Sequence, residues 1–302
     1  MAEPQSPLGS SIVPPRSAQD LRHEVWVFLR VAFHQLMLET RYRNKFVIDM
    51  VGHLLATLPI ILTAWVFTDG RASARLQELT GLPDQFTFII LGLIAFTALG
   101  VGNMVILDTH VAGGVSSEMV TGTLERLFTV PVHRLTLVLG ISMYYLILFT
   151  YQAITLFVGA AIVFGFDPAL SAAGLAWAAC TLVALLTLNL FFGIIGASLI
   201  MAFKDDSVYT LLLHRPMAMA SGAYFLIELI PQPFKALAYV NPLAYAIDVF
   251  RGALTGKTLL LSSFGSEVAL LGGMVVAVGI ASILIFRRMM VRLARTGQLA
   301  LF

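Results

Sequence analysis

Residues 135–166 read LTLVLGISMYYLILFTYQAITLFVGAAIVFGF, and residues 169–203 read ALSAAGLAWAACTLVALLTLNLFFGIIGASLIMAF. Neither run contains an Asp, Glu, Lys, Arg or His. A helix crossing a hydrocarbon layer needs about 20 mostly apolar residues. Each run exceeds that length, and the pair Asp167-Pro168 between them breaks the helix twice over. Two such runs back to back predict neighbouring membrane spans joined by a tight turn.

Outward from this pair, the same signal recurs. Phe86–Leu107 and Val268–Phe286 also carry no charged residue. Two stretches are less clean. Phe46–Thr68 holds Asp49 and His53 near its start, and Ser207–Ile230 holds His214, Arg215, Pro216 and Glu228. The reading is an all-α integral membrane protein with six transmembrane helices, at 46–68, 86–111, 135–166, 169–203, 207–230 and 265–286. The six-span region is 46–286, followed by a tail at 287–302.

Composition agrees. Of 302 residues, 58% are hydrophobic and 12% charged, about half the charged share of a soluble domain. A soluble fold of this size could not bury that much apolar surface. The net charge of +2 is small, and its Lys and Arg residues lie at segment ends rather than in a nucleic-acid patch. The single cysteine, Cys180, excludes an internal disulfide and a Cys-based metal site. The six histidines are dispersed, with no metal-ligand spacing. No catalytic set emerges, so no enzymatic role is assigned. Residues 1–16, with Pro4, Pro7, Pro14 and Pro15, predict a disordered tail rather than a signal peptide.

Orientation follows from the basic residues. With the N-terminus in the cytoplasm, the Lys and Arg residues at 16, 22, 30, 41, 43, 45, 126, 134, 204, 215, 287, 288, 292 and 295 fall inside. Only those at 71, 75, 235, 251 and 257 fall outside. Both termini are therefore expected in the cytoplasm.

Three segments do not span. Residues 17–45 form an amphipathic helix, with Leu21, Val25, Phe28, Leu29, Ala32 and Leu36 in helical rhythm. His23, Arg30, His34 and Arg41 lie opposite, and Ser17 with Asp20 opens it as a capping box does. Such a helix lies in a membrane interface. The loop 115–134 holds a short helix at 118–130, capped by Thr121 or Thr123 and ended by Pro131. Its Leu124, Leu127 and Phe128 make a small apolar face beside Glu125 and Arg126. Read alone, this face is an interfacial turn before it is a docking helix. The third segment, 231–257, is too polar to span, and Asn241-Pro242 is a good helix opening within it.

Among buried or near-membrane polar groups, Asp49, His53, Asp108, His110, Arg215 and Glu228 all sit near span ends, where they reach the interface. Pro216 is expected to bend its span. Asn189 is expected to hydrogen-bond between helices, and Gly193 and Gly196 to mark a close helix contact. Asn103, Met217, Tyr224 and Phe225 are candidates for a substrate pathway, although Tyr224 and Phe225 also fit a membrane-interface belt. The run Gly252-Ala-Leu-Thr-Gly256-Lys257-Thr258 imitates a phosphate-binding loop but has three residues between its glycines where four are needed. Any ATP hydrolysis must come from another chain.

Two stretches carry a resemblance. Glu118-Met-Val-Thr-Gly-Thr-Leu-Glu-Arg-Leu-Phe-Thr-Val-Pro131 is similar to the E-x-x-x-G-T-L-E-x-L-x-x-x-P stretch of ABC-2 type transporter permeases. Asn241-Pro-Leu-Ala-Tyr-Ala-Ile-Asp-Val-Phe-Arg251 is similar to their N-P-x-x-Y-x-x-D-x-x-R stretch. The resemblance covers the chain from about residue 20 onward. It implies an interface helix, six spans, re-entrant outer helices before the last span, and a coupling helix at 118–130. Glu118, Thr123, Leu124, Glu125, Arg126, Leu127, Phe128 and Pro131 would then meet an ATP-binding subunit. Asn241, Pro242, Tyr245, Asp248 and Arg251 would shape the outer re-entrant segment.

The same resemblance implies two ATP-binding subunits, which hold the ATP and Mg, and a second permease, identical or homologous. This chain itself would bind no cofactor. The location implied is a bacterial inner membrane. The function expected is export of a hydrophobic or amphipathic compound such as a drug, antibiotic or lipid. Export of lipid-linked polysaccharide is the alternative. An ion-coupled secondary transporter ranks lower, since no inverted repeat or mid-span carboxylate is visible. A membrane scaffold would need no docking helix.

Overall fold

The structure is a computed structural model that describes residues 18–41, 87–97, 134–164, 171–205, 207–224, 226–232 and 234–296, with isolated helical positions between 43 and 62. Among the described residues every regular element is a helix. We label α1 (Ala18–Arg41), α2 (Thr87–Thr97), α3 (Arg134–Phe164), α4 (Ala172–Phe203), α5 (Ser207–Tyr209), α6 (Arg215–Met219), α7 (Phe234–Val240), α8 (Pro242–Thr255) and α9 (Phe264–Thr296). A π-turn, Thr210–His214, joins α5 to α6, and a 3-10 turn, Ile227–Leu229, precedes α7.

Among the described residues, two helices are long and apolar enough to cross a membrane. Their most apolar 18-residue stretches have mean hydropathies of 2.2, within residues 172–203, and 2.6, within residues 264–292. At about 1.5 Å per residue each exceeds the roughly 30 Å of a hydrocarbon layer. Their surfaces fit that solvent. Val183, Val276 and Ile280 are each more than half exposed, a cost in water that vanishes against lipid chains. The last helix also continues past Phe286 as far as Thr296, carrying Arg287, Arg288, Arg292 and Arg295.

Helix α4 begins where Ser171 accepts a hydrogen bond from the Gly174 amide at 2.9 Å. It ends at Lys204, whose left-handed backbone (φ 56°) closes the last turn through the Ile200 carbonyl. Asp205 then accepts from the Ser207 amide at 2.9 Å. The Ser207 side chain and that amide hold its exposed carboxyl below its usual value. The side chain of Asn189 is buried and donates to the Leu185 carbonyl one turn back. The expected bond between helices is thus replaced by one within α4, because this carbonyl is nearest and has a free lone pair.

Helices α4 and α9 run parallel. Trp177 meets Phe264 edge-on at 5.6 Å near their starts. Further along, the Phe191 ring lies so close to Gly279 that an added Cβ would sit 2.8 Å from it. Gly174 lets α4 approach the Ala253 carbonyl of α8, and Gly196 receives the Tyr209 ring of α5. Glycine at these crossings permits the backbone approach that membrane helices rely on for dispersion contact. Helix α2 sits deepest, with Ile90, Leu91 and Ala95 all fully buried.

The expected span 207–230 is not one helix. Helical structure stops at Met219. Pro216 lacks an amide hydrogen and its ring crowds the carbonyl four residues back. The Arg215 amide bonds instead to Thr210, five residues back, which makes the π-turn. The chain then reverses at Ser221 and at Gly222 (φ 70°). The Ser221 hydroxyl donates to the Ala218 carbonyl at 2.7 Å and closes the end of α6.

Helix α1 packs along α3. The Thr136 hydroxyl donates to Glu24, and Gly140 faces Val31 and the Phe28 carbonyl. The apolar face expected on α1 is therefore divided. Phe28 and Leu36 are half-buried, whereas Val25 and Leu29 are exposed beside Trp26, Phe33 and Met37. His23, Arg30, His34 and Arg41 are exposed as well, and Arg30 lies over the Trp26 ring at 3.8 Å.

This packing separates two glycines of α3. A Cβ at Gly140 would sit 2.8 Å from Val31 Cβ, whereas at Gly159 it would meet nothing within 4 Å. Gly140→Ala should lower stability by about 1–3 kcal/mol through overpacking and speed tryptic cleavage at Arg22 and Arg30. Gly159→Ala should be neutral, or stabilising by up to about 1 kcal/mol from helix propensity. Thermal midpoints and digestion rates of the two variants, compared side by side, test whether α1 is docked here.

Candidate functional site

The motif 241–251 folds as α8 and its N-cap, and each of its polar residues ties that helix to a different neighbour. Asn241 has extended backbone (φ −80°, ψ 112°) and accepts from the Leu243 amide at 3.1 Å. Its amide nitrogen donates to the Met217 carbonyl of α6 at 2.7 Å. Pro242 occupies the first turn, where a missing amide hydrogen costs nothing. The Tyr245 hydroxyl donates to the Tyr239 carbonyl of α7 at 3.0 Å. Asp248 accepts from the Leu259 and Leu260 amides at 2.7 and 2.8 Å through one oxygen. The loop after α8 is thereby folded back onto it.

Arg251 goes deepest. It is 4% exposed. Its guanidinium donates to the carbonyls of Phe88, Gly222 and Ala223 at 3.2, 2.8 and 2.8 Å. It also lies 3.6 Å from the centre of the Phe88 ring. A buried cation is tolerable only when its donors are satisfied, and three carbonyls with an aromatic face supply that here. Burial still disfavours the charged form, while the nearby Asp248 carboxylate favours it. One side chain thus joins α2, the reversal after α6, and α8. Gly92 makes room for it, since a Cβ there would lie 2.0 Å from the guanidinium and 2.2 Å from the Ala223 carbonyl.

The run that imitates a phosphate loop is the end of this helix. Gly252 lies inside α8, and Gly256 (φ 77°) is its left-handed cap, closing on the Gly252 carbonyl at 2.8 Å.

Two cavities flank the motif. A small one, about 40 Å³, is lined by Phe88, Gly222, Asp248, Arg251 and Leu260 among others. A larger one, about 590 Å³, opens between α6 and α7. Its walls include Leu211, Met219, Tyr224, Ile230 and Phe234, and Arg215 is the single charged residue among them. The Tyr224 ring rests on Phe96 of α2 at 4.9 Å.

Of the pathway candidates, Tyr224 lines this larger cavity. Met217 packs against the core, and its carbonyl holds Asn241. Asn103 and Phe225 lie outside the described residues. So does the whole stretch 118–131, with Glu118, Thr123, Leu124, Glu125, Arg126, Leu127, Phe128 and Pro131. The cavity walls Leu211, Met219, Ile230 and Phe234 were not singled out in the sequence, because an apolar pocket wall and an apolar lipid face look alike there. Glu267 of α9, fully buried beside this motif, also escaped notice.

Gly92→Ala should weaken the clamp, because the new methyl displaces either the guanidinium or the Ala223 carbonyl. The expected loss is about 2–4 kcal/mol, seen as a lower thermal midpoint and faster amide exchange at 222–223. Gly272→Ala, where nothing lies within 4 Å, is the matched control and should change neither.

A comparison with protein-family models matches residues 33–255 to the ABC-2 type transporter family. The match ends at the last residue of α8, so it includes both α8 and the stretch 118–131. No curated protein matches the chain. With most of its length covered by that family model, the chain belongs to the ABC-2 type transporter family, whose members are membrane permease subunits of ABC transporters.

Proposed function

We propose that this permease exports a hydrophobic or amphipathic compound, driven by ATP hydrolysis on separate ATP-binding subunits. Membership of the family establishes the coarser statement, a membrane permease subunit that associates with an ABC ATP-binding subunit. The observation that carries the substrate class is the cavity of about 590 Å³ between α6 and α7. Among the described residues, its walls are apolar apart from Arg215 and the Tyr224 hydroxyl. A cavity of that size accepts a drug-sized molecule. Its one cation suits a compound with an apolar body and a single polar or anionic end.

In this reading the chain crosses the membrane six times with both termini in the cytoplasm, and α1 lies in the inner interface. The α7–α8 pair is a re-entrant hairpin on the outer side. Residues 118–130 form the coupling helix that enters a groove on the ATP-binding subunit. Two permeases and two ATP-binding subunits make the working unit, in a bacterial inner membrane. Lipid-linked polysaccharide is the competing cargo.

Coupling is tested by Phe128→Ala and Leu127→Asp. Losing a buried Phe or Leu contact costs about 2–5 kcal/mol, so each variant should insert normally yet lose most of its co-purifying ATP-binding subunit. Wild-type recovery with both variants would remove 118–130 from the interface. Orientation is tested in a Cys180→Ser background, since Cys180 is exposed. A membrane-impermeant thiol reagent applied outside should modify a cysteine introduced at Gln232 and spare one at Thr129.

Substrate class is tested at the cavity. Met219→Trp should fill it and abolish stimulation of ATPase activity by amphipathic compounds, leaving basal hydrolysis unchanged. Stimulation by polysaccharide precursors alone, insensitive to this substitution, would favour the competing cargo.

A further inference from the structure

Helix α9 opens with an unusual burial. Glu267 lies in its first turn and is 0% exposed. Neither of its carboxylate oxygens meets a hydrogen-bond donor, and neither does Oδ1 of Asp248. The two carboxyl groups lie within hydrogen-bonding reach of each other, with the Thr258 hydroxyl beside them. That hydroxyl already donates to the Leu261 carbonyl at 3.0 Å. The other oxygen of Asp248 is fully occupied by the Leu259 and Leu260 amides.

Two ionised carboxylates cannot share such a space. A buried carboxylate without donors is heavily penalised, and a second one at contact distance adds direct repulsion. Among the described residues, the surroundings offer one compensating charge. Arg251, three residues after Asp248 on α8, is committed to the carbonyls of Phe88, Gly222 and Ala223. Tyr245 on the same helix donates to Tyr239 of α7. Glu228 and Tyr239 line the small cavity on the Arg251 side, and Lys257 in the loop is exposed. Helix α4, packed against both α8 and α9, carries no Asp, Glu, Lys, Arg or His, and α2 carries none either. Asp248, Glu267 and Arg251 together hold one negative charge too many.

We propose that Asp248 and Glu267 form a proton-binding site, in which one bound proton bridges the two carboxyl groups and fastens α8 to the first turn of α9. Glu267 carries the proton and donates it to Oδ1 of Asp248. Asp248 keeps its two amides and lies beside Arg251 on the same helix. The three residues are then neutral as a group, and Oδ1 gains the donor it lacks. A short bond between a carboxylic acid and a carboxylate is among the stronger neutralising contacts available in a dry interior. This site rests on the packing of α8 against α9 and stands apart from any choice of cargo or coupling helix.

The folded pair retains a proton that the same carboxyls in an unfolded chain would release above their ordinary values. Stability therefore falls as pH rises, and the lock opens as pH passes through the value of the folded pair. At most one proton is involved, so the thermal midpoint should drop by no more than about 3–5 °C per pH unit.

The test uses the permease with its ATP-binding subunits in lipid nanodiscs. Infrared spectra at neutral pH should show a protonated-carboxyl band that shifts in heavy water, disappears at alkaline pH, and is absent from Glu267→Gln. The amide of Glu267→Gln can donate to Asp248 as the protonated acid does. This variant should keep the wild-type midpoint at neutral pH and lose most of the alkaline fall. A wild-type spectrum without that band would overturn the proposal whether or not the variant folds. So would an alkaline fall of equal size in wild type and variant. An alkaline loss reversed by sodium chloride, but not by choline chloride at equal ionic strength, would make the site a metal-cation site and overturn the assignment to a proton.

Discussion

One buried guanidinium organises the described core. Arg251 lies on α8, yet its donors end on a carbonyl of α2 and on two carbonyls at the reversal after α6. Those carbonyls belong to backbone that the surrounding helices leave with spare lone pairs, and a low-dielectric interior makes their attraction for a cation strong. The reverse dependence is as important. Without its three acceptors and the Phe88 ring, Arg251 could not remain buried. The clamp and the helices it joins are therefore stable only together. Asn241, Tyr245 and Asp248 extend the same logic, each tying α8 to a different piece of chain.

Around this polar centre, the long helices pack by shape. Gly174, Gly196 and Gly279 bring backbone against a carbonyl or a ring at distances no larger residue allows. Lipid offers no hydrophobic drive for helices to associate, so close contact and satisfied backbone groups carry the assembly. The exposed apolar residues of α4 and α9 belong to the same picture. The π-turn between α5 and α6 borders the large cavity, and the reversal at Ser221 and Gly222 supplies two acceptors to Arg251.

Much of this was legible in the sequence where a single physical rule decides. Charge-free runs are helices, and α3 and α4 appear where 135–166 and 169–203 contain no Asp, Glu, Lys, Arg or His. Asn241-Pro242 opens α8 as a capped helix with proline in its first turn. Other features depend on partners distant in sequence. Proline signals a disturbance in 207–230 but cannot say whether the helix bends or ends. The ending is fixed by Gly222 and by Asn241 holding the Met217 carbonyl. Glu267 stands at the edge of an apolar run, where a span-end carboxylate normally reaches water, yet the fold buries it fully. On α1 the periodicity marked an apolar face, but a glycine on α3 selected which part of it is packed.

The central claim is that the forked geometry of Arg251, beyond its charge, holds α2, α8 and the 222–223 reversal together. Arg251→Lys keeps the charge and replaces the planar fork with a point donor. The direct measurement is backbone amide exchange of this variant in nanodiscs, read across 87–97, 220–224 and 242–255. The account predicts faster exchange in all three segments at once, with a stability loss of about 2–4 kcal/mol. Exchange unchanged from wild type, or raised in α8 alone, would contradict it.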